Sequence, residues 1–136
     1  MVSETEARTR LEPERTTLPT LLIVDDSQAF RVQARSLLEA DGFAVIAEAA
    51  DLASALAAWQ ETRPQLVLLD VNLPDGNGFA LVDLLEADGF RPIVVLTSSR
   101  DVGTYRRRLE RSRAAGFIVK DELSGGAIRA LMESAR

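Results

Sequence analysis

Five polar residues directly follow short apolar runs of this chain, and together their side chains could carry out phosphoryl transfer. They are Asp25 and Asp26 after Leu21–Val24, Asp70 after Leu66–Leu69, Thr97 after Ile93–Leu96, and Lys120 after Phe117–Val119. A carboxylate can act as the nucleophile and form an acyl phosphate. A metal ion and an ammonium group can neutralise the charge on the phosphoryl oxygens, so such catalysis is mostly positioning and electrostatics.

The three carboxylates need compensating positive charge if they lie close together. Like charges in proximity repel and raise one another's pKa, and one lysine offsets only one of the three negative charges. A divalent cation would offset the other two. Because the chain contains no histidine and no cysteine, an all-oxygen site of this kind suits Mg²⁺, or Mn²⁺, rather than zinc.

Lys120 is the only lysine among the 16 basic residues. The guanidinium of arginine is planar and branched, whereas the ammonium of lysine is a compact charge on a flexible side chain. A lone lysine here therefore indicates a position that a guanidinium group would not fit. Each polar residue also has an ordinary interpretation: a helix cap for Asp26 or Thr97, a turn for Asp70, a solvated side chain for Lys120. Together these would require four coincidences at one place, and we favour the functional interpretation.

Short apolar runs alternate with longer segments of helical period, which predicts the elements that position these side chains. Runs without polar alternation are typical of strands buried on both faces. The predicted strands are Leu21–Val24, Ala44–Ala47, Leu66–Leu69, Ile93–Leu96 and Phe117–Val119. The predicted helices are Ser27–Ala40, a helix capped by Asp51 that ends before Pro64, Asn77–Ala87, Asp101–Ala114, and one from Leu123 or Ser124 to near the C-terminus.

Strand followed by helix five times predicts an α/β fold, with a parallel sheet and five helices on its two faces. In such a sheet the carboxyl ends of all strands lie along one edge, where ligands bind at the topological switch point. That edge would gather the five polar side chains. Residues 1–19 are polar and lack a sustained apolar period, which predicts a flexible N-terminal tail before a single domain at residues 20–136.

Composition excludes several classes of function. The chain has 136 residues, which favours one domain, and without cysteine it has no disulfide framework or thiol chemistry. No apolar run reaches the ~20 residues of a membrane-spanning helix, and no secretory signal opens the sequence. The net charge of −5 argues against direct nucleic-acid binding. We therefore expect a cytoplasmic protein with no membrane contact.

The residues at the ends of the strands resemble the receiver domain of two-component response regulators over residues 20–136. The resemblance rests on four segments in order: Leu22–Ser27 with its acidic pair, Leu69–Gly78, Leu96–Ser98 and Gly116–Lys120. It implies a flavodoxin-like, doubly wound parallel sheet of strand order 2-1-3-4-5. It also implies a switch protein rather than an enzyme, with self-catalysed phosphoryl transfer and autodephosphorylation only.

The resemblance implies a role for each site residue. Asp70 would be the phosphoacceptor. Asp25, Asp26 and Asp70, with the backbone carbonyl of Asn72, would bind Mg²⁺. Lys120 would pair with the phosphoryl group.

The resemblance also implies a switch pair. Thr97 would reorient to hydrogen-bond the phosphoryl group, and Phe117 stands where the family keeps an aromatic that turns inward when the threonine moves. A plain core phenylalanine is compatible with the same position, and the sequence does not separate the two.

The implied partners are a sensor histidine kinase or a histidine phosphotransfer protein, and a downstream protein or a second copy. The implied output surface is the face made by the fourth helix, fifth strand and fifth helix, where the fourth helix carries Arg106, Arg107, Arg108, Arg111 and Arg113. A solvated basic helix face is an equally good interpretation of these arginines. Asp121 follows the lysine where many receivers have proline, which looks more like receivers joined to a helix-turn-helix output. The chain would then be a free-standing receiver or a piece of a longer DNA-binding regulator.

Two other functions fit parts of the pattern. Acyl-phosphate phosphatases also use a strand-end aspartate with Mg²⁺, but their motif needs a second aspartate where this chain has Asn72. A receiver-like interaction module that ignores phosphorylation would usually have lost an acidic-pair residue or the lysine, and neither is lost here.

Overall fold

The computed structural model describes residues 18–135, so most of the predicted N-terminal tail, residues 1–17, lies outside the described part of the chain. The core of the fold is a five-stranded parallel sheet made of β1 (Thr20–Val24), β2 (Ala44–Ala49), β3 (Leu66–Asp70), β6 (Ile93–Ser98) and β7 (Gly116–Val119). Across the sheet the strands follow the order β2-β1-β3-β6-β7. This confirms the predicted α/β fold and its order 2-1-3-4-5, which numbers only these five strands.

The sheet is buried on both faces because its strands are apolar at nearly every position. Leu22 and Val24 of β1 point to one apolar cluster, and Leu21 and Ile23 point to the other. Helices α1 (Gln28–Ala40) and α5 (Gly125–Ser134) cover the face of the second cluster. Helices α2 (Leu52–Thr62), α3 (Gly78–Val82) and α4 (Arg106–Arg111) cover the opposite face. The five predicted helices on two faces are therefore present.

Four helices begin directly after a residue whose side chain caps them, and at α3 this residue is Asn77, whose Oδ1 accepts from Phe79 N at 2.8 Å. Ser27 Oγ accepts a hydrogen bond from Phe30 N at 3.1 Å, and Ser124 Oγ accepts one from Ala127 N at 3.0 Å. Asp51 and Ser54 form a reciprocal capping box at the start of α2. Such caps satisfy backbone N–H groups that have no partner within the helix. Within the described residues, none of the helices combines the length and apolarity needed to cross a bilayer.

The prediction of a helix over Asn77–Ala87 was wrong in its length, because α3 ends at Val82. Beyond it, Asp88 and Gly89 have φ of 55° and 80°, and Ala87 and Phe90 pair across that tight turn. The turn brings the ring of Phe90 onto Trp59, with 6.2 Å between centroids and an interplanar angle of 10°. This aromatic contact favours the turn over continuation of the helix.

The predicted helix Asp101–Ala114 was also too long, since α4 begins only at Arg106 and ends at Arg111. A single 3₁₀ turn, Val102–Thr104, precedes it, and Tyr105 has φ −118° and ψ 5°, which interrupts the helical path. The adjacent arginines at the start of α4 also lie at the positive end of the helix dipole, which disfavours a helix that begins there. Between β3 and α3 lies a small hairpin of β4 (Asn72–Leu73) and β5 (Gly76–Asn77).

Candidate functional site

The carboxyl ends of the central strands bring the predicted site residues to one edge of the sheet. Asp25 follows β1 directly, and Asp70 is the last residue of β3. Asp70 pairs in register with Thr97 of β6, the neighbouring strand. Lys120 follows β7, which pairs with β6 on the other side. Parallel strand direction is thus what converts four distant sequence positions into one site.

Three carboxylates lie together at this edge. One carboxylate oxygen from each of Asp25, Asp26 and Asp70 lies within 4.8 Å of the others. Asp25 and Asp70 are buried, whereas Asp26 is exposed, so the group opens to solvent on the side of Asp26. Carboxylate oxygens are the ligands that a hard divalent cation prefers. Because the group is open to solvent on one side, such an ion could keep some of its water ligands there.

Lys120 bridges the two buried carboxylates. Its Nζ lies 2.6 Å from Asp25 Oδ2 and 3.2 Å from Asp70 Oδ2, and it also lies 4.6 Å from the centre of the Phe30 ring. Burial lowers the pKa of Lys120, but the hydrogen bonds and charges of Asp25 and Asp70 outweigh that effect and raise its pKa above the ordinary value. The ammonium group therefore stays charged and offsets part of the negative charge of the two buried carboxylates.

Burial raises the pKa of Asp70 above its ordinary value. The N–H of Asn72, which donates to Asp70 Oδ1 at 3.1 Å, and the charge of Lys120 oppose this rise, while the charge of Asp25 adds to it. The protein alone thus compensates the ionised carboxylate incompletely. A bound divalent cation would make up the difference, because an opposite charge nearby favours the ionised form.

The backbone around Asp70 is closely packed. Gly78 N donates to the carbonyl of Val71 at 2.7 Å, and a Cβ atom at Gly78 would overlap the carbonyl oxygen of Asp70. Only glycine allows this approach. On the other strand, Ser27 N donates to Asp25 Oδ1 at 2.9 Å. The first contact fixes the backbone at Asp70, and the second fixes the carboxylate of Asp25.

Of the predicted switch pair, Thr97 pairs with Asp70 on the neighbouring strand, and Phe117 lies one strand further away. Thr97 is buried, and its Oγ1 has no hydrogen-bond partner among residues 18–135. A buried hydroxyl without a partner is costly, so this group is available for a new acceptor. Phe117 lies on β7, the next strand, is half-buried and contacts the ring of Tyr105 with 5.7 Å between centroids.

The arginines predicted on the fourth helix lie at the surface of α4 and just after it. Arg106, Arg107, Arg108 and Arg111 of the helix are exposed, and so is Arg113 beyond it. The guanidinium of Arg108 lies 4.8 Å from the centre of the Phe79 ring. Within the described part of the chain none of these arginines forms an ion pair with an acidic side chain, which leaves a basic surface.

Sequence reasoning missed two residues that support the site, Arg31 and Tyr105, and a third, Asp75, that ties the neighbouring loop to α2. The guanidinium of Arg31 donates to the backbone carbonyl of Asp25 at 2.6 Å and to Glu48 Oε1 at 3.0 Å. Tyr105 accepts a hydrogen bond at its hydroxyl from the side-chain amide of Asn72 at 3.0 Å. Asp75 accepts from two backbone N–H groups at the start of α2, at 2.8 and 3.1 Å.

Of these three, only Asp75 carried a signal in the sequence, because its Pro-Asp-Gly setting is typical of a turn with a free carboxylate. The contacts of Arg31 and Tyr105 depend on which surfaces the fold brings together. A local pattern does not encode them.

A scan against protein families matches residues 21–132 to the response regulator receiver domain. Among curated proteins, the virulence-factor regulator BvgA of Bordetella pertussis is 33% identical over 102 residues, which are 75% of this chain and 49% of BvgA. Protein CcdB of Bacillus subtilis is 35% identical over 101 residues, 74% of this chain and 83% of CcdB. The chain thus spans about half the length of BvgA and most of the length of CcdB.

A search of solved structures gives the same relationship. The signal receiver domain of NarL from Mycobacterium tuberculosis superimposes with a TM-score of 0.75 and 25% sequence identity, over 87% of this chain and 96% of that domain.

Proposed function

This chain belongs to the response regulator receiver domain family, and from that membership we propose that it accepts a phosphoryl group on Asp70 as a signalling switch. The observation that carries the proposal is the group of Asp25, Asp26 and Asp70 with Lys120 between the two buried carboxylates. Proteins of this family are switches and generally not true enzymes. We assign the receiver domain to residues 20–136, with residues 1–19 as a tail.

The phosphoryl group comes from outside these 136 residues, which contain no histidine that could itself carry it. We assign the role of donor to a cytoplasmic sensor histidine kinase or a histidine phosphotransfer protein. A carboxylate oxygen of Asp70 attacks the phosphorus of the donor phosphohistidine and forms the P–O bond of an acyl phosphate. The P–N bond breaks, and its electron pair stays with the departing imidazole.

The carboxylates of Asp25, Asp26 and Asp70 and the backbone carbonyl of Asn72 would hold Mg²⁺, and the same oxygen set would accept Mn²⁺. When bound, the ion supplies positive charge that stabilises the equatorial phosphoryl oxygens. The fit rests on the oxygen donors of the cluster and on the incompletely compensated charge of Asp70.

Three side chains of this protein then respond to the new group. The ammonium group of Lys120 leaves its contact with Asp70 Oδ2 and pairs with a phosphoryl oxygen. The hydroxyl of Thr97, which has no partner among residues 18–135, donates to a second phosphoryl oxygen. The ring of Phe117 turns into the space that Thr97 leaves. Because Phe117 lies on β7, the strand directly before Lys120 in the chain, this movement extends the conformational change from the site to the protein surface.

The switch resets by self-catalysed hydrolysis. A water molecule attacks the phosphorus, the P–O bond to Asp70 breaks, and the carboxylate and inorganic phosphate are released. The chain therefore turns over its own phosphoryl group and no external phosphate ester.

The output surface is the face formed by α4, β7 and α5, on which Arg107 and Arg111 present positive charge one turn apart. We propose that this face binds an acidic downstream partner or a second copy once Asp70 is phosphorylated. Arg107→Glu combined with Arg111→Glu should abolish a phosphorylation-dependent complex. If that complex survives the charge reversal, the face is not the output surface.

A second candidate function is the receiver part of a longer DNA-binding regulator. It is favoured by the relation to BvgA, which is named as a transcription regulator and is about twice as long as the matched segment. The chemistry at Asp70 would be unchanged, and the output would be carried by a segment beyond this chain. A longer native reading frame would establish it.

The first test uses beryllofluoride, a stable mimic of the phosphoryl group, together with Mg²⁺. We expect it to raise the melting temperature of the wild-type protein by several degrees and to leave Asp70→Asn unchanged. Asp75→Asn is the matched control, since it changes an exposed aspartate of the same loop and should keep the response. If wild type and Asp70→Asn respond equally, a phosphorylation-independent interaction module becomes the better interpretation.

A further inference from the structure

Tyr105 is the only tyrosine of the chain, and it lies between the phosphoacceptor site and the arginine-rich helix α4. Its side chain is buried, with its ring 6.2 Å from that of Phe79 and 5.7 Å from that of Phe117 between centroids. Its carbonyl accepts from Leu109 N at 2.9 Å, which ties the residue to the first turn of α4. A movement of Tyr105 must therefore displace the start of that helix.

The hydroxyl of Tyr105 connects the same residue to Asp70 through Asn72. The side-chain amide of Asn72 donates to the Tyr105 hydroxyl at 3.0 Å, while the backbone N–H of Asn72 donates to Asp70 Oδ1 at 3.1 Å. Two hydrogen bonds thus join the phosphoacceptor carboxylate to a buried ring at the start of α4. The oxygen that accepts from Asn72 belongs to the carboxylate that gains the phosphoryl group.

The ring of Tyr105 also contacts the second element that responds to phosphorylation. Phe117 on β7 pairs with Leu96, the residue before Thr97 on β6, and its ring contacts Tyr105, so an inward turn of Phe117 changes the packing against Tyr105. Tyr105 therefore contacts both Asn72, through its hydroxyl, and Phe117, through its ring. The exposed arginines Arg106 and Arg107 follow it directly in the chain.

We propose that Tyr105 is a positioning residue that transmits the phosphorylation state of Asp70 to α4. In the unphosphorylated protein, its hydrogen bond with Asn72 holds the start of α4 against the sheet. Phosphorylation moves Asn72, breaks this bond and frees Tyr105 and the arginines that follow it. The inference rests on the proposed phosphorylation of Asp70.

Fluorine NMR tests the first half of this mechanism. With 3-fluorotyrosine incorporated, the single tyrosine gives a single resonance that reports on its own hydroxyl. We expect that resonance to shift when Asp70 is phosphorylated, as checked by intact mass, and to shift in unphosphorylated Asn72→Ala. An unmoved resonance in protein that carries the phosphoryl adduct overturns the inference and leaves the proposed function standing.

Amide hydrogen exchange over residues 106–111 tests the second half. In the unphosphorylated protein, Tyr105→Phe keeps the ring and removes the hydroxyl, and we expect exchange about fivefold faster, as for the loss of one hydrogen bond. Asn72→Ala should match it, and the double variant should add nothing further. Thr104→Val, which removes a hydroxyl from the exposed neighbouring residue, should leave exchange unchanged.

Phosphorylation should then change the exchange of α4 in the wild type and in Thr104→Val, but by less than half as much in Tyr105→Phe. Equal responses in wild type and Tyr105→Phe, or additive effects of the two single variants, overturn the inference. If no variant gains the phosphoryl adduct, the proposed function fails instead. The comparison of unphosphorylated variants still decides whether Tyr105 and Asn72 act together.

Discussion

The ammonium nitrogen of Lys120 lies 2.6 Å from Asp25 Oδ2, closer than its 3.2 Å distance to Asp70 Oδ2. Asp25 is fully buried, so this pair is a largely desolvated contact. Phosphorylation would place new negative charge next to a lysine that already has a strong partner. The lysine can serve both states because its ammonium group is a point charge on a flexible stem, which a guanidinium fork is not.

Lys120→Ala should separate metal binding from switching. We expect the variant to bind Mg²⁺, because its three carboxylates are intact, and to bind beryllofluoride at least tenfold more weakly than wild type, because a charge-assisted hydrogen bond to it is lost. Isothermal titration with Mg²⁺ alone, and then with beryllofluoride, measures the two steps. Wild-type affinity for beryllofluoride in this variant would contradict the role assigned to Lys120.

Arg31→Gln should weaken Mg²⁺ binding. The guanidinium of Arg31 holds the backbone carbonyl of Asp25, and a charged hydrogen bond of this kind contributes roughly 1.5 kcal/mol, which corresponds to about a tenfold loss of affinity. Arg35→Gln is the matched control, since Arg35 also pairs with Glu48 but makes no contact with Asp25. Equal losses of Mg²⁺ affinity in the two variants would show that the ion pairs with Glu48, rather than the position of Asp25, set the affinity.

Glu48 should make a small, pH-dependent contribution to stability. Burial raises its pKa, but hydrogen bonds and charges from Arg35 and Arg31 together outweigh burial and hold the pKa of this carboxyl below its ordinary value. Because the folded pKa is the lower one, this stabilisation is present above the unfolded pKa and is lost as the pH falls through the folded pKa.

Glu48→Gln should therefore be less stable than wild type by about 0.5 kcal/mol at pH 7, after allowance for solvent screening. Urea unfolding measures the difference at neutral pH and again in acid, where Glu48 is protonated in both the folded and the unfolded chain. The difference should close on acidification. A gap that stays constant with pH would assign the effect to packing rather than to charge.

Gly78→Ala should destabilise the protein by about 1–3 kcal/mol, as expected for overpacking of a tight site. The added methyl group would overlap the carbonyl oxygen of Asp70 and would force the end of β3 to move. Gly126→Ala is the control, since its nearest neighbour is Ser124 Oγ at 3.9 Å and alanine favours the helix. Thermal unfolding compares them, and equal stability of the two variants would contradict the close packing at Gly78.

The parts of the fold that local patterns determine were predictable from the sequence. Apolar runs predicted all five strands of the sheet, and the helical period together with the capping residue Asp51 placed the starts of α1, α2 and α5 within a residue or two. The gathering of polar side chains at one edge followed from parallel strand direction. The site roles of those side chains remain proposals.

The parts that long-range contacts determine were not predictable. The apolar period after α3 continues to Leu85, which is buried as that period requires, but the packing of Phe90 on Trp59 ends the helix early. Burial of Tyr105 likewise interrupts the helix predicted from Asp101. These contacts join residues that are far apart in the chain, so the spacing of residues in the sequence does not predict them.

The phosphorylation of Asp70 is tested most directly by intact mass after incubation with Mg²⁺ and a small phosphodonor. We expect one added phosphoryl group on wild type, none on Asp70→Asn, and none on wild type when the metal is chelated beforehand. Asp75→Asn should gain the adduct as wild type does. An adduct of equal yield on Asp70→Asn, or none on wild type with Mg²⁺ present, would contradict the assignment of Asp70 as the phosphoacceptor.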